Sequence, residues 1–471
     1  MRGRCVISAI AVVVVVVFAC ALACDAAEPA EPATTNTDTV VPVAYESSEE
    51  PWSTEGQGNG EFGQNHRRLV AEFEDGVVLK TDDDEFELAI RIMEQTDFKY
   101  FSPRDQMPAR PGVYIPRFRA YFEGHITSSY GYELSLQRSV EGAFDILDAN
   151  INFQPSEEFQ IKVGRFIVPY SYDWYDHLEQ YFIAPERGLY PLNFGLSREA
   201  GVMFWGRIND GEVQYALGGF SGQLSGLADT NTTRDLVGYL NFRPFRNTGS
   251  MMWENLNLGG SAAYGDQAFA GEPLPLRTSL QSSENDDAAQ AASSVFLEYE
   301  DDVEVLGKRE QAALHLAWYY EQLSFESEVQ VGRFGYEKED VATNLPVVGY
   351  NIALSYFITG EEVTGRKIVI PNRPFNPGSG QTGPGAIEPY VRYSYLQLGE
   401  QLFEDQLADG NDWTRQISMV DLGWNWYPNR YVKFYFDWQV SMYGSPVVLN
   451  EEKDERSKTN QLFWLRAQVF F

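Results

Sequence analysis

Arg117, Arg119, Glu123 and His125 stand at alternate positions, with Phe118, Ala120, Phe122 and Ile126 on the opposite parity. On an extended chain one parity faces each side, so these ionisable groups form a row that suits water while the other row suits lipid. The chemistry open to such a row is electrostatic, raising or lowering the local concentration of passing ions. Other chemistry lacks its parts. The four histidines, His66, His125, His177 and His315, lie in no H-E-x-x-H, Cys/His or nucleophile-elbow context. His125 and His315 fall on watery faces and read as solvated side chains. Asp82-Asp83-Asp84 and Asp301-Asp302 could draw divalent cations, but lack the Gly and terminal Glu of a calcium loop and read as solvated charge. The Gly-rich stretches 259–265 and 378–385 are not followed by Lys-Ser or Lys-Thr, so no phosphate-cradling loop occurs. No catalytic residue, metal or cofactor is expected, and the chain reads as a non-enzyme.

The elements that position the row are strands. From Phe73 onward, segments of about 9 to 11 residues alternate apolar and polar, with no convincing helical period. Leu147, Ala149, Ile151 and Phe153 alternate with Asp148, Asn150, Asn152 and Gln154. Pro155-Ser156-Glu157-Glu158, Asn209-Asp210-Gly211 and Pro428-Asn429-Arg430 make tight turns. Long connections at 168–199, 267–309 and 441–459 alternate with these, as outward loops alternate with short periplasmic turns in outer-membrane barrels. Sixteen segments fit between residues 85 and 471, giving an all-β, transmembrane antiparallel barrel with both ends in the periplasm and an aqueous lumen. The segment 359–386 comes out as a long periplasmic connection, and Val295 to Val305 is a further possible strand. The last strand places Phe463, Leu465, Ala467, Val469 and Phe471 on one face and stops on an aromatic.

Composition agrees. Aromatic residues make up 14% of the 471, while mean hydropathy is mildly negative, as suits a barrel that is apolar outside and polar inside; a large secreted β-sandwich is the alternative. Residues 1–23 read as a signal peptide: a basic start, an apolar run from Val6, and Ala21-Leu22-Ala23 as the cleavage pattern. The run is also long enough to serve as an uncleaved anchor. Cys5, Cys20 and Cys24 all lie in or beside this segment, so no disulfide framework is possible in the mature chain; lipidation of Cys24 stays open. Residues 24–68 read as a disordered acidic periplasmic tail, and 69–471 as the barrel domain. The net charge of −32 argues against nucleic acid as a partner.

Four stretches, LDANINFQPSEEFQIKVGRFIVPY from Leu147, SREAGVMFWGRINDGEVQYALGGFSG from Ser197, SYFITGE from Ser355 and VDLGWNWYPN from Val420, resemble the phosphate-selective porin O and P family in order and spread. The ending on Phe471 resembles the assembly signal of outer-membrane barrels. The resemblance implies a homotrimeric pore in the outer membrane, in contact with its lipid, narrowed by inward loops and passing small hydrophilic solutes or inorganic anions, with a basic ladder in phosphate-selective members. Here the ladder is mixed. The water-facing bases are Arg91, Arg117, Arg119, Lys162, Arg243, Arg392, Lys433 and Arg466, and the acids are Glu85, Glu87, Glu123, Glu133, Asp148, Glu326, Glu328, Glu388, Asp421 and Asp437. Interspersed carboxylates cancel much of a basic field within a Debye length of about 10 Å, so phosphate selectivity is not implied. Arg117, Arg119 and Lys162 could form a local positive patch. Loop 168–199, with Tyr172, Asp173, Asp176, Glu179, Arg187 and Arg198, is a candidate constriction, or an outward loop packed on its neighbours. A structural or adhesive barrel, or a barrel enzyme, are the other classes.

Overall fold

A peptide group in hydrocarbon has no water to bond, so every membrane strand must be paired on both edges. The computed structural model describes residues 67–471 apart from 74, 141–143, 223–232, 268–270, 281–286 and 451. It meets the demand with a closed antiparallel barrel of sixteen strands. In chain order these are β1 (Glu87–Ser102), β2 (Gly112–Thr127), β3 (Tyr130–Arg138), β4 (Asp145–Phe153), β5 (Gln160–Ile167), β6 (Arg198–Ile208), β7 (Val213–Phe220) and β8 (Asp235–Phe242). They continue with β9 (Asn255–Asp266), β10 (Val303–Tyr320), β11 (Leu323–Lys338), β12 (Val341–Tyr356), β13 (Ala386–Leu398), β14 (Gln416–Asn429), β15 (Val432–Asn450) and β16 (Glu455–Phe470). β16 returns to β1 through pairs such as Leu465↔Phe98 and Phe470↔Met93. The Phe471 N–H donates to the Ile92 carbonyl at 3.1 Å and its carbonyl accepts from Ile92 at 2.6 Å, so the last residue ends the seam. The expected signal segment 1–23, and the expected tail as far as residue 66, lie outside the described residues.

Alternation decides which side chains meet lipid. Phe463 and Trp438 stack outward at 6.1 Å, and Trp424 on Phe436 at 4.8 Å, Trp426 on Phe434 at 5.4 Å and Trp253 on Trp318 at 5.3 Å add to the outward aromatics. The turn after β6 holds Asn209, Asp210 and Gly211 at φ of 56°, 54° and 78°, a geometry these residue types tolerate. Before β1, a hairpin of Leu69–Phe73 and Val77–Thr81 pairs onto its first residues, Val77 opposite Ile90. Glu85 lies in the turn leading into β1, not on the wall. The run Asp82 to Asp84 shapes that hairpin end, with Asp83 accepting from Thr81 at 2.7 Å.

Two of the expected outer loops are shorter than the sequence suggests. β10 begins at Val303, β15 runs to Asn450 and β16 starts at Glu455, while β11 and β12 extend to a tight turn at Glu339-Asp340. Above the hydrocarbon the outer face turns polar, with Lys308, Glu310, Arg333 and Asn344, and the apolar-outward pattern that marks a strand disappears. Val295–Leu297 is not a barrel strand; it pairs with Leu276–Arg277 inside the outer loop.

The inner wall is charged, and buried charge must be paired. Arg309 of β10, fully buried, donates to Glu199 of β6 at 3.3 Å and to Asp235 of β8. Arg309→Met leaves two carboxylates without their cation, and should destabilise the barrel by about 3–5 kcal/mol. Urea unfolding in detergent, followed by far-ultraviolet circular dichroism, checks this; an unchanged midpoint would show that the cluster is dispensable.

Candidate functional site

The chain between β5 and β6 turns into the barrel instead of away from it. Ser171 sits at φ 64° and its hydroxyl accepts from the Trp174 N–H at 3.1 Å, starting the short helix α1 (Tyr172–Tyr175). The Ser171 N–H donates to Ser261 Oγ of β9 at 2.9 Å, and the Tyr172 N–H to Glu328 Oε1 of β11 at 2.7 Å. Tyr172 lies on His315 at 4.5 Å, so His315 is covered by the loop and not solvated. Asp176 accepts from Gln214 at 3.1 Å and from the Tyr239 hydroxyl.

The loop then crosses to the far wall. There the strands supply donors and the loop supplies carbonyls: Gln468 Nε2 to Gln180 O at 3.0 Å, Lys433 Nζ to Phe182 O at 2.5 Å and Asn425 Nδ2 to Ile183 O at 2.9 Å. Arg466 and Arg392 donate to the carbonyls of Pro185 and Glu186. Helix α2 (Leu189–Phe194) closes the crossing on apolar side chains of β11 to β13.

Two loop carboxylates face arginines. Glu179 takes Arg119 of β2 at 2.9 Å, Arg198 at 3.6 Å and Arg187 at 3.9 Å. Glu186 takes Arg117 through both oxygens at 2.6 and 2.7 Å, and Arg466 at 2.9 Å. Burial by itself would raise both acids, but the guanidinium charges outweigh it: Glu179 is held well below the usual carboxylate range and Glu186 at about 2. Arg187 is fixed from within the loop, against Asp173 at 3.2 Å and over the Trp174 ring at 3.9 Å.

Of the wall bases read from the sequence, Arg243 lies just past the end of β8, where the chain leaves the sheet for the turn, and the others stand on inward positions of the strands; the structure gives all of them partners at close range. Arg466 also binds Asp97 at 2.6 Å, Arg392 binds Asp421 at 2.8 Å, Arg91 pairs with Glu123, and Arg243 donates to the Gly211 carbonyl at 2.9 Å. Lys162 is the loosest, 4.0 Å from Glu133 and 5.7 Å from the Phe166 ring. Among the constriction-loop candidates, Tyr172, Asp173, Asp176, Glu179 and Arg187 lie inside the barrel, and Arg198 opens β6 against Asp148 at 3.2 Å. Glu186, although present in the same loop, carries more of its anchoring than its position in the sequence reveals.

Loop 168–197 touches β7 to β16 in turn and reaches Arg117 and Arg119 of β2, with Gln95, Asp97 and Asp148 buried beside them, and it leaves room at the periplasmic ends of β1–β5. A cavity of about 320 Å³ there is lined by Glu87, Arg91, Glu123, Glu133, Asn150 and Lys162. The Glu123 and Glu133 side chains keep 39% and 29% of their surface, whereas Glu388 and Asp421 opposite keep none. Two further segments cover the far side. The periplasmic connection 357–385 inserts Arg366, which donates to Glu326 at 2.7 Å, Glu388 at 2.6 Å and the Ser324 and Ser355 hydroxyls. The outer loop 267–302 packs Leu276 and Phe296 with α2 and reaches β1 and β2, where Lys99 donates to Ala292 O at 2.8 Å and Tyr114 to Ala291 O at 2.9 Å. Neither insertion has a local sequence signal, since each depends on partners far along the chain.

The family model for phosphate-selective porin O and P matches residues 87–471. No curated protein matches the chain. Among solved structures, the fold is similar to that of OmpT, an outer membrane protein of Vibrio cholerae in its trimer form. The TM-score is 0.50 and the identity 9%, over 82% of this chain and 100% of that one. An anion-selective porin from Comamonas acidovorans gives 0.49 and 11%, over 82% and 100%. The outer membrane channel DcaP of Acinetobacter baumannii gives 0.48 and 8%, over 85% and 100%.

The depressed Glu186 makes the loop's attachment pH-dependent. With its folded value near 2 and its ordinary value 4.5, its contribution is present above about pH 5 and is lost as pH falls through the folded value. Between pH 5 and 2 the Glu186 end of the loop, next to Arg187 on the Trp174 ring, should loosen while the barrel and the loop's carbonyl contacts to Asn425, Lys433 and Gln468 persist. The difference in emission between the wild type and Trp174→Phe should then shift to the red, with far-ultraviolet circular dichroism unchanged; a constant difference spectrum would contradict it.

Proposed function

That this chain belongs to the phosphate-selective porin O and P family, as an outer-membrane porin for passive diffusion, is the premise from which we propose how it conducts. Small hydrophilic solutes and inorganic ions pass along the β1–β5 side of the lumen, with weak charge preference and no dedicated phosphate site. One observation carries this reading: Arg117, Arg119, Arg392 and Arg466 are each matched to a carboxylate, and the water-exposed groups along the free side include both signs. A phosphate on this path meets cations that are already neutralised, and the remaining field is short-ranged at physiological salt. The chain is proposed to be exported by residues 1–23 and to leave residues 24–68 in the periplasm.

A homotrimer is part of the same proposal. Glu94 and Thr96 of β1 point outward, hydrogen-bonded to each other at 2.5 Å, and Glu94 lies between Val469 and Phe118 on the neighbouring strands. A carboxylate facing lipid is unfavourable, and a second copy packed on the β16–β1–β2 wall removes it from lipid. Glu94→Trp should reduce the mass of the detergent-solubilised particle from three chains to one by light scattering. A wild type that is already monomeric, or a trimer indifferent to the change, would count against this interface.

In planar bilayers the purified protein should give discrete steps, a reversal potential near zero in a potassium chloride gradient, and no block of chloride current by millimolar phosphate. The absence of steps would sink the pore; strong phosphate block would sink the weak-preference reading.

A further inference from the structure

The two loop glutamates do different work from the rest of the anchoring. Arg117 and Arg119 stand two residues apart on the inner face of β2, so their guanidiniums are neighbours on the wall that borders the free side. Among the described residues, the carboxylate paired with Arg117 is Glu186 and that paired with Arg119 is Glu179. The other arginines around these acids have a second carboxylate: Arg466 has Asp97 at 2.6 Å, Arg198 has Asp148 at 3.2 Å and Arg187 has Asp173 at 3.2 Å. Removing the two loop charges therefore leaves Arg117 and Arg119, adjacent on β2, without a paired carboxylate among the described residues, while Arg466 keeps Asp97, which it shares with Lys99 at 3.8 Å. With the loop seated the Arg117 side chain keeps 13% of its surface and that of Arg119 2%.

Resting on the porin reading above, we infer that Glu179 and Glu186 are the selectivity-determining residues of this pore. They mask an anion site formed by Arg117 and Arg119, and so keep the chain from favouring chloride or phosphate. The loop carboxylates occupy the positions a diffusing oxyanion would take, with the bidentate geometry that Arg117 offers to a carboxylate or a phosphate alike.

Neutralising the acids should leave the fold intact. Glutamine keeps a hydrogen-bond acceptor at each place, Arg117 retains Gln95 at 3.1 Å, and Arg119 retains Gln137 at 3.0 Å and Tyr121 at 3.3 Å. A unit charge about 7 Å from a permeating ion in water changes its local concentration by about threefold. Each of Glu179→Gln and Glu186→Gln should thus lower the potassium-to-chloride permeability ratio by about threefold, and the double variant should add millimolar phosphate block of the chloride current. The shift should shrink in 1 M salt, where the Debye length is about 3 Å.

The test is reversal potential and conductance for the wild type, both single variants, the double variant and the Glu179→Asp/Glu186→Asp pair, with heat-modifiable electrophoretic mobility to confirm closed barrels. Anion-directed shifts in the glutamine variants, restored by the aspartates, support the proposal. Folded variants whose conductance rises while the reversal potential stays fixed overturn it, because the acids then only hold the loop. A wild type and variants that all lack steps overturn the porin reading and this proposal with it.

Discussion

Hydrocarbon gives a peptide N–H or C=O nothing to bond, and the sheet answers by returning its sixteenth strand to its first. That closure fixes much else. It demands an even number of antiparallel strands if both ends are to remain on one side, it alternates every strand between lipid and lumen, and it places the C-terminal Phe471 beside Ile92 at the seam. It also encloses a lumen wider than the wall side chains alone can fill. The chain fills it from within, using an outer loop after β5, a second after β9 and a periplasmic segment after β12.

What occupies the lumen must satisfy the wall. Isolated charges in a partly dry interior are costly, and removing one partner is costlier than never having the pair. The inner face of β13 to β16 presents Arg392, Lys433 and Arg466, and the loop meets them with carbonyls at Glu186, Phe182 and Pro185. On β2 the arginines instead meet carboxylates. Carbonyls satisfy hydrogen bonds but leave the cation's net charge, whereas carboxylates cancel it. The loop thus fastens to the β13–β16 wall chiefly by dipoles, with Glu186 shared between Arg466 there and Arg117 on β2, and meets β2 by charge alone.

Strands, turns and facing were legible in the sequence because each is local. Period-two alternation marks β2, β4 and β16, and Asn209-Asp210-Gly211 marks a turn by its tolerance of positive φ. The inward row Arg117, Arg119, Glu123 follows from parity alone. Strand ends outside the hydrocarbon were not legible, since Lys308, Arg333 and Asn344 erase the apolar face. Nor were the partners. Glu186 and Arg466 lie 280 positions apart, and Arg117 and Glu186 are 69 apart, so no window of residues contains both halves of either bond. The loop could be recognised as unusual by its length and its aromatic and charged content, but only the closed sheet determines which charge each of its acids meets.

The covering of α2 by the outer loop bears on how the crossing is held as well as on shape. Leu276 and Phe296 rest on the helix that ends the crossing, and the same outer loop reaches over to Lys99 and Tyr114 on the first two strands. A crossing segment cannot slide beneath a cover already fastened on both sides. The crossing is therefore held from above as well as from the wall: the cover that rests on α2 is itself fastened to β1 and β2, so one outer loop ties the start of the barrel to the end of the segment that fills it.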